Sequence, residues 1–339
     1  MEQLLLRKSI YLDAGNIKNY ISGKKVMITG AAGSIGHELL KQTLDYQPEL
    51  VVAIDQSESG IASLTSQFPQ ENLHLKLGDI TDAEGMKRLF SEFRPDLLFH
   101  AAAYKHVVLL ESQPVMAIKN NIFGTCILAE LAIEFGVEKF VFISTDKAVN
   151  PCSVMGITKR ICELYLIALK TSTDFVITRF GNVLGSQGSV YPIILDRILR
   201  HKPIEITHPE ATRYFITIPE SAMLALEAAA IGKAGQIMIF EMGYPLSIIE
   251  LATRLINKYK LPGQHCDIVF TGLKPGEKLH EDLQYPHEKL VGVHQEQIRI
   301  IGSEDSGESY IQTEIENLRQ LIYTATSDDL RLALKNSLR

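Results

Sequence analysis

The sequence has few cysteines. Four occur in 339 residues, Cys126, Cys152, Cys162 and Cys266, with no C-x-x-C spacing. That excludes a cysteine-held zinc site and, in a chain this long, a disulfide framework. Reduced thiols and a cytoplasmic setting are the expectation. A basic excess is also lacking: 34 Lys and Arg stand against 40 Asp and Glu, a net charge of −6. A dedicated nucleic-acid binder would carry a basic face, and the 13 Phe and 12 Tyr form no run suited to stacking bases. No apolar run approaches the ~20 residues that span a bilayer. Arg7 and Lys8 break the N-terminal stretch too early for a signal peptide. Repeats and low-complexity tracts are absent. What is there, 46% hydrophobic and 22% charged, is an ordinary folded composition. The length suits one large domain with an added lobe, or two domains.

Short β-branched and aromatic runs at 25–29, 50–54, 73–77, 96–100, 139–144 and 175–180 alternate with helix-length segments. This alternation predicts an α/β fold, a Rossmann-like doubly wound parallel sheet with helices on both faces. After Gly181 the pattern changes. Helical stretches at 189–200, 219–230 and 247–259 separate short strands near 204–207, 237–241 and 267–271, and Ser247 with Glu250 fits a capping box. The expected division is a tether or packed-back helix over 1–22, the doubly wound domain over 23–181 with later segments interleaved, and a smaller mixed α/β lobe over 182–339.

VMITGAAGSIG places Gly30, Gly33 and Gly36 directly after the first strand, with Ser34 and Ile35 opening a helix. Such a loop permits a tight turn and close approach of a pyrophosphate, which meets the free N–H groups of the helix. Asp55 ends the next strand, where a carboxylate would bind both ribose hydroxyls and repel a 2′-phosphate, favouring NAD over NADP. The alternative is that Asp55 caps the helix beginning near Ser57. Asp79, followed by Ile80, is placed to meet the adenine or to cap a helix. Ala101, Ala102 and Ala103 are small enough for a cofactor to lie close, or to pack against the first helix.

The fifth strand runs into FISTDKAVNPCSVMGITKR. Asp146 and Lys147 sit where ligands bind in such sheets, beyond the strand's carboxyl end. Met155 and Lys159, four apart, share one helix face. The Gly-x-x-Gly-x-x-Gly spacing resembles the short-chain dehydrogenase/reductase superfamily, and the length its extended, sugar-nucleotide branch. In that branch a Ser or Thr ends this strand, and a Tyr precedes the Lys by four. Here Thr145 and Lys159 are in place, but Met155 stands where the Tyr would be, and methionine cannot accept a proton.

The motifs TGAAGSIG, HAAAYKHV, NNIFGT, STDKAVNP, MGITKR, RFGNVLGSQGSV, TRYFITIPE and TGLKPGEK resemble those of the UDP-N-acetylglucosamine 4,6-dehydratases of bacterial surface-glycan synthesis, over about residues 5–300. The resemblance implies oxidation of the sugar at C4 by bound NAD, elimination across C5 and C6, and return of the hydride to C6. It implies Lys147 as the C5 base and Asp146 as the acid for C6, with Thr145 on the C4 oxygen and Lys159 on the nicotinamide ribose. Lys147 must be neutral to work, so burial or a neighbouring cation should lower its pKa. For the substrate, it implies Arg213 and Lys274 on the pyrophosphate, Glu277 on a ribose hydroxyl and Asn182 on the diphosphate or sugar amide. Thr207 should lie near the uracil, and Lys105 and His106 should face the hexose. Asn120 and Asn121 are read mainly as bracing.

His265 beside Cys266 has no partner motif, so no metal site is expected. Related enzymes associate through helices, which makes 113–135 and 153–170 candidate interfaces of a homo-oligomer. The methionine resembles a subgroup whose larger members carry membrane helices ahead of this region, and RKSIYLDAGNIKNYISGK resembles the linker that follows them. The chain is therefore either a naturally soluble member or an excised catalytic region. That subgroup leans toward retention at C5, which Met155 alone does not fix. Two other readings stand beside the dehydratase: a UDP-sugar 4-epimerase or dehydratase/C5-epimerase, and a nucleotide-sensing regulator without turnover.

Overall fold

The computed structural model describes residues 4–338 except 6, 9, 11 and 303–307. The six apolar runs form β1 (Lys25–Thr29), β2 (Leu50–Asp55), β3 (Leu73–Leu77), β4 (Leu97–His100), β5 (Lys139–Thr145) and β6 (Asp174–Phe180). Three later strands join the same sheet: β7 (Ile237–Phe240), β8 (Lys289–His294) and β9 (Ile298–Gly302). The order is β8-β9-β7-β6-β5-β4-β1-β2-β3. Strands β1 to β7 run parallel, and β9 and β8 close the edge antiparallel. The winding reverses between β1 and β4, so a crevice opens beyond their carboxyl ends. Alternation along β1 feeds two cores. Met27 packs on one face with Val52, Leu98 and Phe140, while Val26 and Ile28 pack on the other with Val51 and Ala53.

The later segments interleave more deeply than a boundary at 181 allows. The run expected near 237–241 in the lobe is β7, buried beside β6, because an all-apolar IMIF needs cover on both faces. Helix Ile218–Ile231 packs on the first helix of the sheet, Ser34–Asp45. What stands apart is a smaller layer: the parallel pair Ile204–Ile206 with Ile268–Phe270, helices Val190–Leu199 and Ile248–Tyr259, and their own apolar cluster. The expected capping box at Ser247 does not form. Ser247 makes no side-chain cap bond, and Glu250 pairs with Arg254 instead. A capping box does occur at Thr217 and Glu220. There Glu220 also accepts both terminal nitrogens of Arg7 at 2.7 Å and the Ile10 N–H at 2.8 Å. The N-terminal segment is thus packed back, with helix Gly15–Ile21 burying Ile17 and Ile21.

Two further findings bear on the sequence expectations. Pro114–Glu134 is long and apolar enough by composition to cross a membrane, but 72% of its apolar window is buried inside the protein. It reads as apolar because it is a core helix. Of the candidate interface helices, Val154–Ala168 and the short Pro114–Ala117 pack against the chain's own C-terminal helices, Glu308–Leu321 and Ser327–Asn336.

Candidate active site

Gly30 follows β1 with φ +72°, and a Cβ there would lie 2.6 Å from the Ala102 backbone nitrogen. Only glycine satisfies both demands. A Cβ on Gly36 would lie 2.0 Å from the Gly30 carbonyl oxygen, so helix Ser34–Asp45 seats directly on the loop. Its first-turn N–H groups have no acceptor within the helix. Gly33, Ser34, Ile35 and Gly36 line a cleft of about 680 Å³. Ser34 Oγ accepts the Gln187 N–H at 3.0 Å, which draws loop 185–188 against the glycine loop.

A side pocket opens from this cleft, lined by Asp55, Ile80, Ala101, Ala102, Ala103 and Asn120 together with Gly30 and Gly33. Asp55 Oδ2 accepts the Ala32 N–H and Oδ1 the Ser57 N–H, each at 2.9 Å. Ser57, not Asp55, caps the following helix. Asp55 braces the glycine loop and keeps a lone pair free on each oxygen. Asp79 lines neither cavity. It is exposed and accepts the N–H and hydroxyl of Thr81 at 2.8 Å, while Asp82 caps helix Ala83–Phe93. The turn uses Asp79 Oδ1 locally, and the capping alternative is not met.

β5 delivers Thr145 to the cleft, and a single turn carries Asp146–Ala148. Thr145 Oγ1 donates to Asp146 Oδ1 at 2.9 Å. Lys147 Nζ donates to Asp146 Oδ1 at 2.9 Å and to Asn182 Oδ1 at 2.8 Å, and lies 3.6 Å from Glu281 Oε1. Asp146 is fully buried and does not line the cleft; Thr145 and Lys147, both bonded to it, do. Burial pushes the Lys147 pKa down, but Asp146 and Glu281 outweigh burial and the net shift is upward. The expected lowering is therefore corrected: the resting side chain is an ammonium between two carboxylates.

Met155 and Lys159 face the same cleft from helix Val154–Ala168. The Lys159 ammonium stands 4.1 Å from the Phe142 ring centroid and pairs with no carboxylate among the described residues. Burial pushes its pKa down to about 8. A shift from 10.5 to about 8 costs the fold on the order of 3 kcal/mol below that pH. The sign follows from the lowered value: the cost is full below about 8 and fades as pH climbs toward the unfolded value. Lys159→Met is accordingly expected to stabilise the free protein in denaturant unfolding near neutral pH, and to lose that advantage by about pH 10.5. An advantage independent of pH would show that the ammonium is not strained.

Asn121 lies in a π-helical turn, Ile118–Phe123, and such turns re-aim side chains at functional sites. It accepts the Tyr104 N–H at 2.8 Å and donates to Tyr104 O and Thr158 Oγ1, tying the loop after β4 to the Lys159 helix. Asn120 reaches the side pocket.

Lys105, His106 and Asn182 line the cleft. Lys105 Nζ is 3.4 Å from Ser186 Oγ, and His106 packs so tightly on Gly188 that a Cβ there would lie 2.5 Å from its ring. Thr207, Arg213, Lys274 and Glu277 gather elsewhere, outside both cavities. Glu277 Oε1 accepts from Thr207 at 2.8 Å and from Arg213 at 3.1 Å, and Glu277 Oε2 accepts the Lys274 N–H. Arg213 is 6% exposed and spends its guanidinium on Glu277 and on the Thr212, Leu279 and Lys278 carbonyls. It staples loop 277–279 and offers no free charge to a diphosphate in this state. The sequence showed its charge but not its partners. His265 pairs with Asp267 at the surface, and no cluster of three metal ligands occurs among the described residues.

The model of a polysaccharide biosynthesis protein family matches residues 26–303. The chain belongs to that family. A probable polysaccharide biosynthesis protein, EpsC of Bacillus subtilis, is 45% identical over 304 residues, 88% of this chain and 50% of that one. The chain therefore spans about half the length of that relative. UDP-N-acetylglucosamine 4,6-dehydratase (inverting) of Campylobacter jejuni is 32% identical over 267 residues, 77% of each chain. UDP-glucose 4-epimerase of Rickettsia akari is 34% identical over 272 residues, also 77% of each. The solved structure of Pen from Bacillus thuringiensis superposes with a TM-score of 0.79 at 31% identity, covering 85% of this chain and 92% of that one. Within this family member, two site features escaped sequence reasoning. Gln187 bonds to the glycine loop and Gly188 packs on His106, from a motif that gave a role only to Asn182. Glu281 lies three residues beyond TGLKPGEK, in no motif that flagged it.

Proposed function

We propose that this chain is an NAD-dependent nucleotide-sugar enzyme that converts UDP-N-acetylglucosamine to a UDP-2-acetamido-2,6-dideoxy-4-hexulose for surface-polysaccharide synthesis in the cytoplasm. The observation that carries the reading is the bonded Asp146–Lys147 pair beneath Thr145, at the end of β5 and beside the glycine-loop cleft. An epimerase acting at C4 needs no C5 base and no C6 acid. A regulator without turnover needs neither, nor a strained Lys159 facing the same cleft.

The residues present fit a dinucleotide. The free N–H groups of helix Ser34–Asp45 face the cleft, Asp55 offers two lone pairs to a ribose, and Lys159 holds an unpaired buried cation. When bound, the nicotinamide would supply hydride acceptance at C4 and its return at C6, so no net oxidant or reductant is consumed. Lys159 holds the nicotinamide ribose. Thr145 Oγ1, bonded to Asp146 at 2.9 Å, takes the C4 hydroxyl proton and passes it to Asp146. This relay stands in for the absent tyrosine and gives the buried Asp146 its access to the sugar. Lys147, once neutral, removes the C5 proton, and Asp146 returns its proton through Thr145 to the departing C6 oxygen. Lys105, His106 and Asn182 position the hexose.

Incubating the purified protein with UDP-N-acetylglucosamine and recording a proton NMR spectrum tests this. A C6 methyl signal is the expected result. A UDP-N-acetylgalactosamine anomeric signal would establish the epimerase, and an unchanged spectrum would leave a sensor. For the cofactor, Asp55→Asn is expected to weaken NAD binding about 10- to 100-fold, the value of a charge-assisted bond, and to narrow the gap to NADP. Calorimetric titration with both dinucleotides measures it; equal weakening of both would remove the discriminating role.

A further inference from the structure

Lys147 is an ammonium at rest, yet the proposed reaction needs it as a free amine. The structure offers a second carboxylate for its proton. Glu281 is 7% exposed, its Oε1 lies 3.6 Å from Lys147 Nζ, and its Oε2 is buried with no hydrogen-bond partner. Asp146 Oδ2 is likewise buried and unpartnered. Two buried carboxylates thus share the Lys147 ammonium, with a second cation, Lys278 Nζ, 3.6 Å from Glu281 Oε2, and an ionised buried oxygen without a hydrogen bond is the costly form of each. The loop carrying Glu281 is held in place. Arg213 grips the Lys278 and Leu279 carbonyls, Lys278 Nζ donates to Val149 O at 2.6 Å, and Thr212 bonds His280 at 2.9 Å.

We propose that Glu281 accepts the proton of Lys147 and thereby turns it into the C5 base, a positioning residue that acts through Lys147 and never touches the sugar. This rests on the dehydratase reading above. The protons balance. Lys147 passes one proton to Glu281 and becomes neutral. The C4 hydroxyl proton reaches Asp146 through Thr145. At elimination Lys147 takes the C5 proton while Asp146 gives its proton to the C6 oxygen, which leaves as water. Lys147 then returns its proton to C5, and Glu281 keeps its own throughout. The transfer replaces a buried ion pair by two neutral groups, which a cleft closed over substrate favours. Glu281 is faced by Lys147 and Asp146 from the turn after β5, by Cys152 beyond it, by Arg213 from strand Thr212–Arg213, and by Lys278 of its own loop. Burial and Asp146 raise the Glu281 pKa, against the three cations.

The test is Glu281→Gln, which keeps shape and removes the acceptor. Turnover of UDP-N-acetylglucosamine is expected to fall about 10- to 100-fold near neutral pH with KM unchanged. It should recover about tenfold per pH unit as alkali deprotonates Lys147 directly. Loss to the same degree at every pH would overturn the proposal, as would a profile identical to wild type. In the substrate-free protein, the carboxyl ¹³C signal missing from Glu281→Gln should titrate well above the ordinary value of about 4.3. An ordinary midpoint would overturn it without reference to substrate. Failure of the dehydratase reading shows differently, as a wild-type protein that makes no C6 methyl product.

Discussion

Asp146→Asn is expected to abolish C4 oxidation as well as elimination. The carboxylate serves twice in the proposed relay, first as acceptor of the C4 proton through Thr145 and then as donor to the C6 oxygen. An amide in its place can do neither. General acid–base groups contribute about 10²–10⁴ each, so turnover should fall by at least ~10³, with no 4-keto species on borohydride trapping. The fold should survive, because asparagine still accepts from Thr145 and Lys147 through its carbonyl oxygen. A trapped 4-keto-6-hydroxy sugar in this variant would show that the C4 proton leaves by another route. The relay through Thr145 would then be wrong, even if Asp146 remained the C6 acid.

Lys147→Ala should stop the reaction one step later. C4 oxidation needs only Thr145 and Asp146, so the 4-keto-6-hydroxy sugar should form and accumulate. Without the amine the C5 proton stays in place. In deuterium oxide the variant should therefore incorporate no label at C5, and product should fall by about 10³-fold or more. Removing the cation also leaves Asp146 and Glu281 without the ammonium they share, Asp146 keeping only Thr145 and Glu281 only Lys278. Breaking a buried pair costs about 3–5 kcal/mol, so the thermal unfolding midpoint should drop clearly near neutral pH. Label at C5 in the variant would remove Lys147 from the role of base. Absence of any 4-keto species would instead make Lys147 the acceptor of the first proton.

The two variants separate because Asp146 and Lys147, adjacent in sequence, occupy different layers. Asp146 lies fully buried behind Thr145 and Lys147, which face the cleft. Sequence spacing gives the pair and its place after β5, but not this layering. A single helical turn following a strand sends successive side chains in different directions, and which of them meets solvent depends on loop 277–282 packed beneath. Glu281 was invisible for the same reason. It is brought to Lys147 by staples from Arg213 and Lys278, whose partners are backbone carbonyls with no sequence signature.

The sequence by itself determined the parallel sheet, the glycine loop at Gly30, Gly33 and Gly36, the carboxylate ending β2, and the chemical inventory Thr145, Asp146, Lys147, Met155 and Lys159. Each of these is local. A strand–loop–helix unit, a residue at a strand end and an i, i+4 pair are fixed by backbone periodicity over a few residues. The tertiary structure decided what depends on distant partners. β7, β8 and β9 return to the sheet because apolar IMIF had to be covered and an edge remained to be paired. The C-terminal helices came to pack on Val154–Ala168 and Pro114–Ala117. The charge of Arg213 went to loop carbonyls, and Lys147 received two carboxylates instead of a cation. Charge and hydrogen-bonding capacity are written in the sequence. Their allocation follows from which groups burial brings together without water.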